Sequence, residues 1–116
     1  MSITRIEVGP RMSQAVVHGN TVYLAGQVAA KPEGASVGEQ TAQILAQIDA
    51  LLAEAGSDKT KLLSATIYLA DISTFAEMNA KWDGWISAGN TPARATVEAK
   101  LAAPVYTVEI AVIAAI

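Results

Sequence analysis

Two stretches of this chain repeat their apolar residues with the period of a helix, and each lies between stretches that alternate. Few folds accommodate that order. From about Gly38 to Ala55, the residues Ile44, Leu45, Ile48, Leu51, Leu52 and Ala55 form one stripe, while Glu39, Gln43, Gln47 and Glu54 lie largely off it. Gly56 is the expected stop, followed by a loop over 57–60. The second helix is expected from Asp71–Thr74, where Thr74 and Glu77 have capping-box spacing, with Phe75, Met78, Trp82, Trp85 and Ile86 inward. Gly89 and Pro92 close it.

Strands fill the remaining places. Residues 2–8 alternate up to Gly9-Pro10, and Ala15–Val17 passes through His18-Gly19-Asn20 to a second arm over Thr21–Ala29. In that arm Val22, Leu24, Gly26 and Val28 share a face, and Gly26 marks a bulge or a close approach. Residues 61–70 place Leu63, Ala65, Ile67 and Leu69 on one side, and residues 91–116 read as two strands with a Pro-containing connection. The order β-β-α-β-α-β-β, without linker or repeat, predicts a single domain over 1–116. Its class is α+β, a two-layer sandwich of a mixed sheet with two helices on one face. The other face is then left for another subunit.

Composition bears on that face. Hydrophobic residues make up 52% of the chain and charged residues 16%, with a mean hydropathy of +0.32. A chain of 116 residues this apolar has more greasy surface than one core absorbs, which favours an oligomer over an Ala-rich monomer. The net charge of −3 and the lack of a Lys/Arg cluster exclude a nucleic-acid binder. There is no cysteine and one histidine, His18, so thiolate chemistry and a His-rich metal site are excluded together. The opening MSITRIEVGP lacks the apolar core of a signal peptide, and no segment has the length of a membrane span, so a cytoplasmic protein is expected. No hydrolytic triad, phosphate-cradling loop or dinucleotide fingerprint is present, and the chemistry is expected to need no metal, cofactor or covalent nucleophile.

Two charges stand out. Arg94 opens the first terminal strand, sharing a face with Thr96, Glu98 and Lys100. Its planar fork suits a carboxylate, yet a solvated strand face with Arg94 paired to a nearby acid fits the spacing as well. Glu109 interrupts the run Val108-Glu109-Ile110-Ala111-Val112-Ile113 and shares a face with Ala111 and Ile113. It reads either as an acid or base in an apolar wall or as a structural, edge-protecting charge. His18 fits an exposed turn, the two tryptophans fit helix packing, and Asn79 lies at the margin of the buried stripe.

These residues match a known pattern. Pro92-Ala93-Arg94-Ala95-Thr96-Val97-Glu98, followed by Val108-Glu109-Ile110, resembles the C-terminal signature of the Rid family, the YjgF-type reactive intermediate/imine deaminases. Ser13-Gln14-Ala15-Val16-Val17, Thr21 to Gln27, Thr66 to Asp71 and Phe75 to Asn79 continue the likeness in order through nearly the whole chain. Met78 to Asp83 and the ending Tyr106 to Ile116 resemble the YoaB-like branch.

The resemblance implies a chorismate-mutase-like fold and a homotrimer with sheets inside, helices outside and three clefts between subunits. It implies that Arg94 binds the carboxylate of a 2-imino acid and that Glu109 positions the water attacking the imine carbon. Backbone near Gly26 and Thr96 would line the pocket, with Asn79 close by, and the products would be a 2-keto acid and ammonia. Met12 stands where founding members often carry a tyrosine, and Thr96 where many relatives carry a cysteine. An alternative use of the same pocket is a non-enzymatic trimer that binds small keto or carboxylic acids.

Overall fold

The computed structural model describes residues 1–116. In chain order the strands are β1 (Ile3–Val8), β2 (Ser13–His18) and β3 (Thr21–Leu24), then helix α1 (Val37–Glu54), strand β4 (Leu62–Leu69), helix α2 (Phe75–Trp85), and strands β5 (Ala93–Glu98) and β6 (Val108–Ala115). They form one six-stranded sheet in the order β1-β2-β3-β6-β4-β5. The α+β class is the expected one, but three strands rather than two precede α1, so the order is β-β-β-α-β-α-β-β: the hairpin arms β2 and β3 are separate strands in addition to β1.

The last strand of the sequence lies inside the sheet. β6 runs antiparallel to both β3 and β4, so those two are parallel to each other and α1 is the crossover between them. β4 and β5 pair in parallel, with α2 as their crossover. Both helices therefore cover the same face. The alternation of β6 explains its place: Val108, Ile110, Val112 and Ala114 are all buried against the helix layer. Each such side chain removed from water contributes about 1.5–3 kcal/mol, with the smaller Ala below that range. Ile44, Ile48 and Leu52 of α1 and Met78 and Trp82 of α2 meet them from above.

Several local expectations shift. β3 ends at Leu24 rather than continuing to Ala29. Beyond it, Ala25 N–H donates to Gln14 O, and Gln27 returns for one isolated bridge with Ile110. That step moves the chain across, so Gln27 and Ala29 are buried where Gly26 and Val28 were expected. A register irregularity between Leu62 and Ser64 puts Leu62 inside and leaves Leu63 50% exposed.

The second helix does not begin with the expected capping box. Residues Ile72–Thr74 form a 3₁₀ turn capped by Asp71, and the Thr74 hydroxyl donates back to Asp71 O. The carboxylate of Glu77 instead accepts the Gly38 N–H at 2.8 Å, joining α2 to the start of α1. A complete capping box forms at Ser36 and Glu39, and α1 begins at Val37, one residue earlier than expected. Phe75, expected inside, is 40% exposed at the edge of α2 beside β5.

Buried Gln40 fixes the segment after β5. Its Nε2 donates to Val105 O at 2.9 Å, and its Oε1 accepts the Thr107 N–H at 3.0 Å. The chain entering β6 is thereby held from α1, which sets the height of Glu109 two residues later.

Candidate active site

Arg94 sits on the edge strand β5 opposite Ala65, whose side chain is in the core, so the arginine leaves the sheet on the helix side. Its Nη1 donates to Asn79 Oδ1 at 2.8 Å. The guanidinium carbon lies 5.2 Å from the Trp82 ring centre and 5.7 Å from that of Phe75. Residues 75, 79 and 82 are four and three apart, one stripe of α2 facing β5. The arginine is thus aligned by an amide and two aromatic faces, not neutralised by an acid. Glu98, on the same side of β5, is used elsewhere: its Oε1 accepts the Ile72 N–H at 3.1 Å. Thr96 lies between them on that side, its Oγ1 buried without a hydrogen-bond partner.

Glu109 lies opposite Tyr68 on β6 and points to the face without helices, where it is half-buried. Its neighbour is Gly26. A Cβ at Gly26 would stand 2.2 Å from Glu109 Oε2 and 2.9 Å from its Cδ, so the carboxylate occupies the space a side chain would need. Met12, on the β1–β2 connection, joins Gly26, Gln14, Gln27 and Gln47 around a cleft of about 490 Å³.

The six candidate residues therefore fall into two groups. Arg94, Asn79 and Thr96 share the helix side of the β5 edge, whereas Glu109 rests against Gly26 just beyond β3, and Gly26 in turn lines a cleft with Met12. By register, Arg94 and Glu109 are three residues along β4 and two strands apart, about 14 Å between backbones at ordinary strand spacings, and their side chains leave opposite faces. Sequence reasoning did not foresee this division. It also missed the aromatic seat of Arg94 and the glutamine cluster around Gln27, although a glutamine beside Gly26 in an apolar run was a visible signal. No cluster of three His, Cys, Asp or Glu side chains is placed to hold a metal ion. No helix is long and apolar enough to cross a membrane.

The family model described as Endoribonuclease L-PSP matches residues 2–116. RutC family protein YoaB of Escherichia coli is 49% identical, with all of both chains covered. The crystal structure of a YjgF-family protein from Neisseria meningitidis superposes with a TM-score of 0.96 at 50% identity, covering 99% of this chain and 95% of that one. The chain belongs to the Rid (YjgF-type) family. A more distant Rid-family structure from Yersinia pestis, 31% identical, superposes with a TM-score of 0.89 over 99% of this chain and all of its own. Full-length identity with YoaB places this Rid protein in the YoaB-like branch. The two-layer sheet with helices on one face is the Rid fold.

Proposed function

We propose that this Rid protein hydrolyses reactive 2-imino acids and their enamine tautomers, of the 2-iminopropanoate and 2-iminobutanoate type, to 2-keto acids and ammonia. The observation that carries the reading is the seat of Arg94. Asn79, Phe75 and Trp82 hold the guanidinium while its only hydrogen-bond partner is an amide, which leaves donors for a substrate carboxylate. Such charge-assisted hydrogen bonds are worth about 1.5–3 kcal/mol each.

The hydrolysis needs little else. Water adds to the electrophilic iminium carbon, Glu109 takes a proton from that water, and the same carboxyl can return it to the departing nitrogen. The C–N bond breaks as the adduct's hydroxyl gives up its proton and becomes the carbonyl, and the nitrogen leaves as ammonia, which carries that proton away as ammonium. One chain holds Arg94 and Glu109 on opposite faces, so a cleft using both joins Arg94 of one subunit to Glu109 of a neighbour. A homotrimer assembled through the uncovered sheet face supplies that neighbour, and apolar or aromatic side chains such as Tyr23 and Val97 on that face support it. The net charge of −3 is mismatched to a polyanion, which favours imine hydrolysis over the RNA cleavage named in the family description.

The test is ammonia release from imines generated in situ, with wild type and Arg94→Ala. Wild type is expected to accelerate release, and Arg94→Ala to lose about a hundredfold or more in kcat/KM from its missing charge-assisted bonds. Wild type indistinguishable from buffer sinks the proposal. Glu109→Gln separates an enzyme from a keto-acid binder: turnover is lost while keto-acid affinity is retained. Full turnover in that variant removes Glu109 from the mechanism.

A further inference from the structure

Beside Glu109 lies a polar cluster that the hydrolysis above does not employ. Gln27 is only 6% exposed. Its backbone forms a reciprocal pair with Ile110, the residue after Glu109: its N–H donates to Ile110 O at 2.8 Å, and its carbonyl accepts the Ile110 N–H at 3.0 Å. Its side-chain Nε2 donates to Gln14 Oε1 at 2.9 Å and to Ala25 O at 3.1 Å. Its Oε1 accepts from Gln47 Nε2 at 3.2 Å. Gln47 in turn donates to Val28 O and accepts the Ala30 N–H. One buried amide thus ties β2, the segment after β3 and helix α1 together.

The residue enclosed by these bonds is Gly26. The Gln27 amide holds the carbonyl of Ala25 on one side, and the Ile110 pair holds Gln27 on the other. Glu109's carboxylate rests against Gly26, in the space a Cβ would occupy. A shift of this peptide toward β6 therefore displaces the carboxylate. A buried amide in an otherwise apolar place specifies orientation, because each of its polar atoms must find a partner.

We propose that Gln27 is a positioning residue: by fixing Gly26 against β6 through Gln14 and Gln47, it sets where the Glu109 carboxylate stands. The inference rests on reading Glu109 as the group that handles the attacking water. Gln27 does not touch substrate.

Gln27→Met keeps the volume and removes the amide. Its kcat is expected to fall about ten- to a hundredfold, as misplacement of a reacting group does, with KM within about twofold because Arg94 is seated elsewhere. Gln47→Ala, which removes the bonds of Gln47 to Gln27, Val28 and Ala30 but leaves those of Gln27 to Gln14 and Ala25, falls roughly two- to fivefold. The carbon-13 resonance of the Glu109 carboxyl is expected to move in both variants, while that of exposed Glu54 stays. A folded Gln27→Met with unchanged kcat and an unmoved Glu109 resonance overturns the proposal, even if its Tm drops. Should Gln27→Met fail to fold, the Gln47→Ala resonance decides. Wild type without turnover but with a Glu109 resonance that moves in the variants refutes the deaminase reading and leaves the positioning role standing.

Discussion

Only hydrogen fits where Gly26 meets Glu109. The atoms a Cβ would strike belong to the far part of the Glu109 side chain, at 2.2 to 3.2 Å, and that part can swing away without moving the backbone. Gly26→Ala is therefore expected to fold with a Tm within a few degrees of wild type, yet to lose about tenfold or more in kcat as the carboxylate is pushed off. Thermal melts beside imine turnover check it; a variant with normal kcat shows that the placement of Glu109 is immaterial. Asn79→Ala acts at the other group. Loss of one hydrogen bond to a charged partner, about 1.5–3 kcal/mol, is expected to raise KM more than it lowers kcat, because Arg94 then searches for its orientation. At this scale the sequence showed which residues share a face within one strand. It could not show that β4 would intervene between β5 and β6, nor the registers that set Arg94 beside Ala65 and Glu109 beside Tyr68, on opposite faces.

At the scale of the element, the same three-residue spacing occurs twice and is used once. Ser36 and Glu39 exchange both bonds of a capping box. Thr74 and Glu77 do not, because Thr74 already closes the 3₁₀ turn behind it and Glu77 is drawn to the open N–H of Gly38. Ser36→Ala is expected to cost about 1 kcal/mol, read as a lower denaturant midpoint at unchanged slope. Competition of this kind, between a local cap and a partner from another element, is invisible in one segment of sequence. The same holds for the irregularity that turns Leu63 outward, whereas the periods of α1 and β6, carried by many residues, were legible. The caps also set a pH dependence. Hydrogen bonds from Ser36 hold Glu39 below its ordinary 4.5, and those from Thr60 and Ser73 hold Asp58 and Asp71 below 3.8. A depressed folded-state pKa adds stability above the unfolded value, and that stability is lost as pH falls through the folded value. Tm is expected to decline below about pH 4.5, and a Glu39→Gln, Asp58→Asn, Asp71→Asn triple variant to show a shallower decline.

For the whole molecule, the decisive dimension is thinness. The protomer measures 42 × 37 × 20 Å, a slab with helices on one broad face and bare sheet on the other. Tyr23 is 46% exposed and Val97 43% exposed on that bare face, where a solitary protein would gain from covering them. Light scattering is expected to report three times the 12.0 kDa of one protomer. Tyr23→Arg is expected to yield folded protomers without turnover, since neither group of site residues completes the other alone. Mixing tests that division directly. Arg94→Ala and Glu109→Gln subunits are each expected to be inactive as homotrimers. When the two are unfolded together and reassembled in equal amounts, each cleft draws its two subunits independently. In a head-to-tail ring, about one cleft in four then takes Arg94 from one subunit and Glu109 from the next, both intact. Activity should return to about a quarter of wild type, a recovery that a site within one chain cannot give, because no single chain in the mixture carries both residues.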